Sequence, residues 1–216
     1  MTLTTHDSSS SPHLSLRSLL RQVPVLPVLV IEDPETAAPL AQALVAGGLH
    51  VLEVTLRTPA ALEAIRRMAR VPGVVVGAGT ITRAGDLESA RAAGARFGVS
   101  PGATRELLDA AMESGLPFLP GVATASEAMR ARDLGFDTLK FFPAVPAGGA
   151  ALLKAIGGPL PDLAFCPTGG IDASNFRSFL ALDNVLCVGG SWVAPSKVVA
   201  GHDWAEITRL AQETRQ

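Results

Sequence analysis

The sequence predicts a single-domain α/β protein, a TIM-type (β/α)8 barrel with a short N-terminal helix, and three observations carry that prediction. Eight short β-branched or apolar runs alternate with Ala-rich amphipathic segments about twice as long, the rhythm of βα units around a parallel sheet. At 216 residues the chain is near the least that eight such units need, so no second domain is left to place. The runs also close on unusually polar residues, and in such a barrel the working groups sit at the C-terminal ends of the strands.

Residues 1–13, "MTLTTHDSSSSPH", are rich in Ser and Thr and lack apolar periodicity, so they read as a disordered or loosely attached tail; the barrel occupies 14–216. The strand runs follow in order: "VPVLPVLVI" (23–31), "HVLEVTLR" (50–57), "VVVGAGT" (74–80), "RFGVSPG" (96–102), "PFLPGVAT" (117–124), "TLKFFPA" (138–144), "AFCPTGG" (164–170) and "VLCVGGSW" (185–192). Between them lie helical segments such as "PETAAPLAQALVAGG", with Pro near its start and Gly at its end. An open doubly wound sheet is the structural alternative. It usually carries fewer strands and a GxGxxG turn after the first, where this chain has "IEDPE".

Composition narrows the function. The formal charge is −2, with no long basic run to follow a phosphate backbone, which argues against nucleic acid. No apolar stretch approaches the roughly 20 residues of a membrane span, and the first residues lack the basic and apolar regions of a secretory signal; the expected location is cytoplasmic. Cys166 and Cys187 lack CxxC spacing and read as small apolar strand residues. No His, Asp and Glu cluster has ligand spacing, so neither a metal nor another cofactor is required.

Lys140 is the most informative residue. Of three lysines, Lys154 falls in an expected helix, Lys197 in the loop after the eighth strand, and Lys140 alone in a strand. Alternation puts it on the face opposite Leu139 and Phe141 and beside Phe142. An outward lysine would meet the helix layer, so the upper barrel interior is its expected place. A neutral amine there can attack a ketone and form a Schiff base, and burial favours the neutral form. A lysine snorkelling along the wall is the plainer alternative.

Glu53 is an acid in a run that should be buried, four residues before Arg57 on the same strand. A structural Glu–Arg or Glu–Lys pair accounts for it when taken alone. With Lys140 in the same lumen, Glu53 fits the acid–base work of carbinolamine and enamine formation. Arg57 and Thr80 together suit a carboxylate, through a guanidinium fork beside hydroxyl and backbone donors. The glycine pairs in "PTGGI" and "VGGSW" follow the seventh and eighth strands, where these barrels commonly bind phosphate. Gly169, Gly170, Gly189, Gly190 and Ser191 fit that role, though glycines at tight corners need no ligand.

The motifs "ALVAGGLHVLEVTLRTPAALEAI", "VGAGTI", "SPG", "PGVAT", "LKFFPA", "FCPTGGI" and "VLCVGGSW" resemble the 2-keto-3-deoxy-6-phosphogluconate aldolase and 4-hydroxy-2-oxoglutarate aldolase family. The resemblance runs in family order from about Leu14 to the end. It implies a class I aldolase cleaving the phosphorylated keto acid to pyruvate and glyceraldehyde 3-phosphate, with activity on 4-hydroxy-2-oxoglutarate as a second substrate. It further implies Lys140 as the Schiff-base residue, Glu53 as the proton shuttle and Arg57 as the ligand of the pyruvate carboxylate. Thr80, Pro101, Phe142 and Thr168 match pocket-lining positions, the glycines and Ser191 match the phosphate end, and the assembly implied is a homotrimer. The chain departs from the family pattern in its longer Ser-rich start and in "VPAGG" after the sixth strand. A phosphosugar isomerase or epimerase, or a non-catalytic phosphosugar-binding barrel, is the alternative.

Overall fold

Among the described residues nine short strands carry the frame: β1 (Val25–Leu29), β2 (Val51–Thr55), β3 (Val75–Gly79), β4 (Gly98–Val99), β5 (Phe118–Leu119), β6 (Gly121–Val122), β7 (Thr138–Phe141), β8 (Ala164–Pro167) and β9 (Val188–Gly190). The computed structural model describes residues 15–215; the expected loose tail, 1–13, lies outside them. Every strand pair is parallel, in ladders ordered β5–β4–β3–β2–β1–β9 and β6–β7–β8. Phe165 pairs with Val185 and Thr168 with Gly189, which links β8 to the β9 side. The result is an α/β domain with a curled parallel sheet.

The expected fifth strand is broken in two. Pro120 separates β5 from β6; having no N–H it cannot donate to the ladder, but its carbonyl accepts from Lys140 N at 2.9 Å. The N–H of Gly121 donates instead to the buried Ser100 hydroxyl at 3.2 Å. The sixth run stops at Phe141, three residues short of its expected end, before a cis Phe142–Pro143 bond.

The helices are α1 (Leu16–Leu20), α2 (Ala37–Ala46), α3 (Ala61–Met68), α4 (Ala84–Ala92), α5 (Arg105–Ser114), α6 (Ala125–Asp133), α7 (Gly149–Gly157), α8 (Phe176–Leu180), α9 (Ser196–Ala200) and α10 (Trp204–Glu213). The expected N-terminal helix is α1, capped by the Ser15 hydroxyl, which accepts from Ser18 N. Lys197, expected in a loop, lies in α9 instead, where Pro195 before it supplies the extended residue at the helix start. The last helix packs on the first long one: a Cβ on Gly47 would lie 2.4 Å from Ala211 Cβ, and the Thr208 hydroxyl donates to Ala43 O at 3.0 Å. Among the described residues no helix is long and apolar enough to cross a membrane.

Phe97, Phe141 and Phe165 are fully buried, each contributing about 1.5–3 kcal/mol on leaving water. The buried polar side chains include Glu53, Thr55, Ser100, Lys140 and Thr168, on the strands or just after them.

Candidate functional site

β7 holds Lys140 between two neighbours in register, Gly121 on β6 and Cys166 on β8. Its side chain reaches across the inside of the curled sheet to β2, where Nζ donates to Glu53 Oε1 at 3.2 Å. Lys140 is 5% exposed and Glu53 fully buried, so the pair is withdrawn from water. Such a pair is costly to desolvate and stays favourable only with close geometry. Nζ also lies 5.5 Å from the centroid of the Phe142 ring, whose π-face favours a cation.

Two buried polar atoms at this spot have no protein partner among the described residues: Glu53 Oε2 and Thr168 Oγ1. A buried polar atom left unpaired costs about 1–3 kcal/mol. One of them is on the carboxylate that meets Lys140 and the other is just past the end of β8, the strand beside Lys140, which is a reason to place a ligand there.

Glycines make the room. A Cβ on Gly79 would lie 2.1 Å from Glu53 Oε1, and one on Gly189 would lie 2.1 Å from Thr168 Oγ1. A Cβ on Gly190 would lie 1.7 Å from the Trp192 ring. At Gly189 and Gly190, expected at the phosphate end, the missing side chains leave the space that Thr168 and Trp192 occupy. Gly169 and Gly170 differ, with φ of +101° and +77°, conformations that favour glycine. Their N–H groups donate to no acceptor among the described residues. The turn is pinned by Asn175, whose amide donates to Gly170 O at 3.0 Å while its oxygen accepts from Asp172 N at 3.0 Å. Ser191 is exposed just past β9.

Arg57 lies two residues beyond β2, exposed, in the turn that follows. Among the described residues no ion pair joins it to Glu53, whose partner is Lys140. Of the two partners that the sequence offers to Glu53, Arg57 or a lysine, the structure supplies Lys140, because β2 ends at Thr55 and the chain turns before Arg57. Thr58 Oγ1 donates to Ile31 O and Thr55 Oγ1 to Leu29 O at 3.0 Å, tying this turn to the end of β1. Thr80, half-buried after β3, has φ +60°, which is rare for a β-branched residue. Pro101 is half-buried after β4, close enough that a Cβ on Gly121 would meet its carbonyl carbon at 2.3 Å.

Some strand-end polar residues serve the fold instead. Thr124 caps α6, accepting from Glu127 N while the Glu127 carboxylate accepts from the Ala123 and Thr124 N–H groups. Those bonds, the Ala123 N–H first, hold the Glu127 carboxyl below its usual range. Cys166 and Cys187 are free and buried with Sγ atoms 3.6 Å apart. The contact with Cys166, then burial, then the charge of Glu53 push the Cys187 thiol up. A cleft of about 810 Å³ opens at the opposite end of the strands, lined in part by Leu16, Leu19, Val74, Arg91, Arg96 and Pro117. It contains no buried acid–base pair, so the interior around Lys140 and Glu53 is the candidate site.

Comparison with known proteins gives the family and the fold. The family model "Aldolase: KDPG and KHG aldolase" matches residues 16–210. The chain is 52% identical over 201 residues to the 2-dehydro-3-deoxy-phosphogluconate aldolase of Pseudoalteromonas atlantica, covering 93% of this chain and 94% of that relative. The crystal structure of the Legionella pneumophila KDPG aldolase, with pyruvate captured as a covalent carbinolamine, superposes with TM-score 0.89 at 49% identity, covering 91% and 96% of the two chains. That of the Zymomonas mobilis aldolase with 3-phosphoglycerate gives TM-score 0.88 at 52% identity, covering 91% and 93%.

Proposed function

Since the chain belongs to the KDPG and KHG aldolase family, we propose that Lys140 and Glu53 carry out class I aldol cleavage of 2-keto-3-deoxy-6-phosphogluconate, giving pyruvate and glyceraldehyde 3-phosphate. The observation that carries the proposal is the buried Lys140–Glu53 contact at 3.2 Å, with the second carboxylate oxygen unpartnered. At this distance Lys140 can pass a proton to Glu53 and become the neutral nucleophile.

The amine attacks the C2 carbonyl, and Glu53 returns protons as the carbinolamine loses water. The protonated imine then draws electrons from the C3–C4 bond while Glu53 takes the proton of the C4 hydroxyl. Glyceraldehyde 3-phosphate leaves, the enamine is protonated at C3, and water releases pyruvate and free Lys140. The carbinolamine trapped in the Legionella relative supports this order of events.

Arg57 and Thr80 hold the pyruvate carboxylate. Pro101, Phe142 and Thr168 enclose the reacting carbons, with the unpartnered Thr168 hydroxyl directed at a substrate oxygen. The free N–H groups of Gly169 and Gly170, with Ser191, receive the phosphate, while Gly189 and Gly190 shape that end. Remote phosphate binding thereby orients the bond that breaks. The shorter 4-hydroxy-2-oxoglutarate, split to pyruvate and glyoxylate, is the second substrate. A phosphosugar isomerase would use Glu53 but would leave the buried lysine without a task.

The proposal extends to the architecture. Continuation of β5 into β6 across Pro120, with the two pairs linking β8 to the β9 side, supports a closed (β/α)8 barrel over 14–216. Residues 1–13 are proposed as a separate tail. Family resemblance supports a homotrimer, and a phosphorylated anionic substrate supports a cytoplasmic location. A direct cleavage assay detecting both products tests the reading: the parent protein should turn over, and a folded Lys140→Ala variant should not.

A further inference from the structure

We infer that Val28, with Val30 just past the end of β1, forms the wall against which the aldehyde half of the substrate lies, making Val28 a specificity-determining residue; the inference rests on the aldolase reading. Parallel partners share a face, so Val28, paired with Glu53, points into the lumen on the same side as that carboxylate. Leu26 and Val30 share its face. Along that face exposure rises from nothing at Leu26, through a half-buried Val28, to 41% at Val30. The alternate set, Val25, Pro27 and Leu29, is buried throughout. Exposure confined to one face and increasing toward the strand's C-terminal end marks the opening of the lumen, not a fraying strand.

The position of β1 gives the wall its task. It lies between β2, which carries Glu53, and β9, which leads to Ser191, and Pro27 is paired with Gly190. A substrate whose reacting bond is at Lys140 and Glu53, and whose phosphate is at the Gly169–Gly170 turn and Ser191, must pass its C4–C6 carbons across this strand. There Val28 presents only methyl groups. They can pack on C–H edges and limit width, but they offer no hydrogen bond. Added bulk at Val28 should therefore impair the aldehyde half more than the pyruvate half, which is held at the lysine end.

Two rates separate those halves: cleavage of the six-carbon phosphorylated keto acid, and solvent deuterium exchange into the methyl of pyruvate. For Val28→Leu, kcat/KM for cleavage should fall about tenfold more than the exchange rate, the scale of one misplaced methylene in an apolar pocket, and Val28→Phe should widen the gap. Thermal melting and borohydride trapping of pyruvate confirm that each variant is folded with its lysine end assembled. Equal falls in both rates, or unchanged cleavage, would overturn the role of Val28 and leave the aldolase reading standing. A parent protein that neither exchanges nor cleaves would overturn both.

Discussion

Glu53 Oε1 occupies the space that a side chain on Gly79 would need, 2.1 Å from where its Cβ would lie. The two residues sit on neighbouring strands, β2 and β3, and the carboxylate reaches Lys140 only because β3 has glycine at that point. Gly79→Ala should push Glu53 aside without unfolding the sheet, since the atoms met, Oε1, Cδ and Cγ, all belong to that one side chain and none to the backbone. We expect kcat to fall about 100-fold, the scale of a misplacement near 1 Å, with thermal melting little changed. Steady-state kinetics alongside circular dichroism checks this.

Glu53→Gln keeps the shape and removes the base. Cleavage should slow by about 10²–10⁴-fold, the usual contribution of a positioned acid–base group. The variant's kcat, measured with saturating substrate, decides it; near-parental turnover would mean another group moves the protons.

Gly189→Ala tests packing under Thr168. Its Cβ would meet Oγ1 at 2.1 Å and both Thr168 carbons at 3.0 Å, so rotation of the threonine cannot relieve the clash. Overpacking of this kind should cost about 1–3 kcal/mol, read from urea unfolding.

The α6 cap gives a pH signature. Because Glu127 is held below its usual range, its contribution is full above the unfolded glutamate value and is lost as pH falls through the lowered folded value. Glu127→Gln should therefore lose stability at neutral pH and show a smaller loss than the parent on acidification. Melting temperatures across the acid range check the sign.

The raised Cys187 thiol predicts inertness. Neither Cys166 nor Cys187 should react with a thiol reagent at mildly alkaline pH until the protein is unfolded, because contact with Cys166 and burial disfavour the Cys187 thiolate and Cys166 is buried out of the reagent's reach. Titration with and without denaturant should show the two thiols appearing only in the latter case.

Much of the site was legible because chemistry that needs burial leaves a mark on a strand. A lysine and a glutamate inside apolar runs announce themselves, and both lie where the (β/α) rhythm implies. Arg57 was harder: same-face spacing pointed to Glu53, but the strand ends at Thr55 and the geometry turns with it. The glycines of "VGGSW" were ambiguous, since a glycine that admits a ligand and one that admits Thr168 or Trp192 look alike in sequence. Thr124 and Ser100, polar at strand ends, are taken up by a helix cap and a Gly121 N–H, partners that depend on chain paths not encoded locally. Val28 gave no signal at all, because "VPVLPVLVI" is apolar on both faces and its lumen side cannot be told from its helix side.

The central claim, that Lys140 is the nucleophile, is tested most directly by intact mass and peptide mapping after incubation with pyruvate and borohydride. The account predicts one reduced pyruvate adduct per chain, on the peptide containing Lys140. A folded protein that gives no adduct, or one that carries it on Lys154 or Lys197, would contradict it.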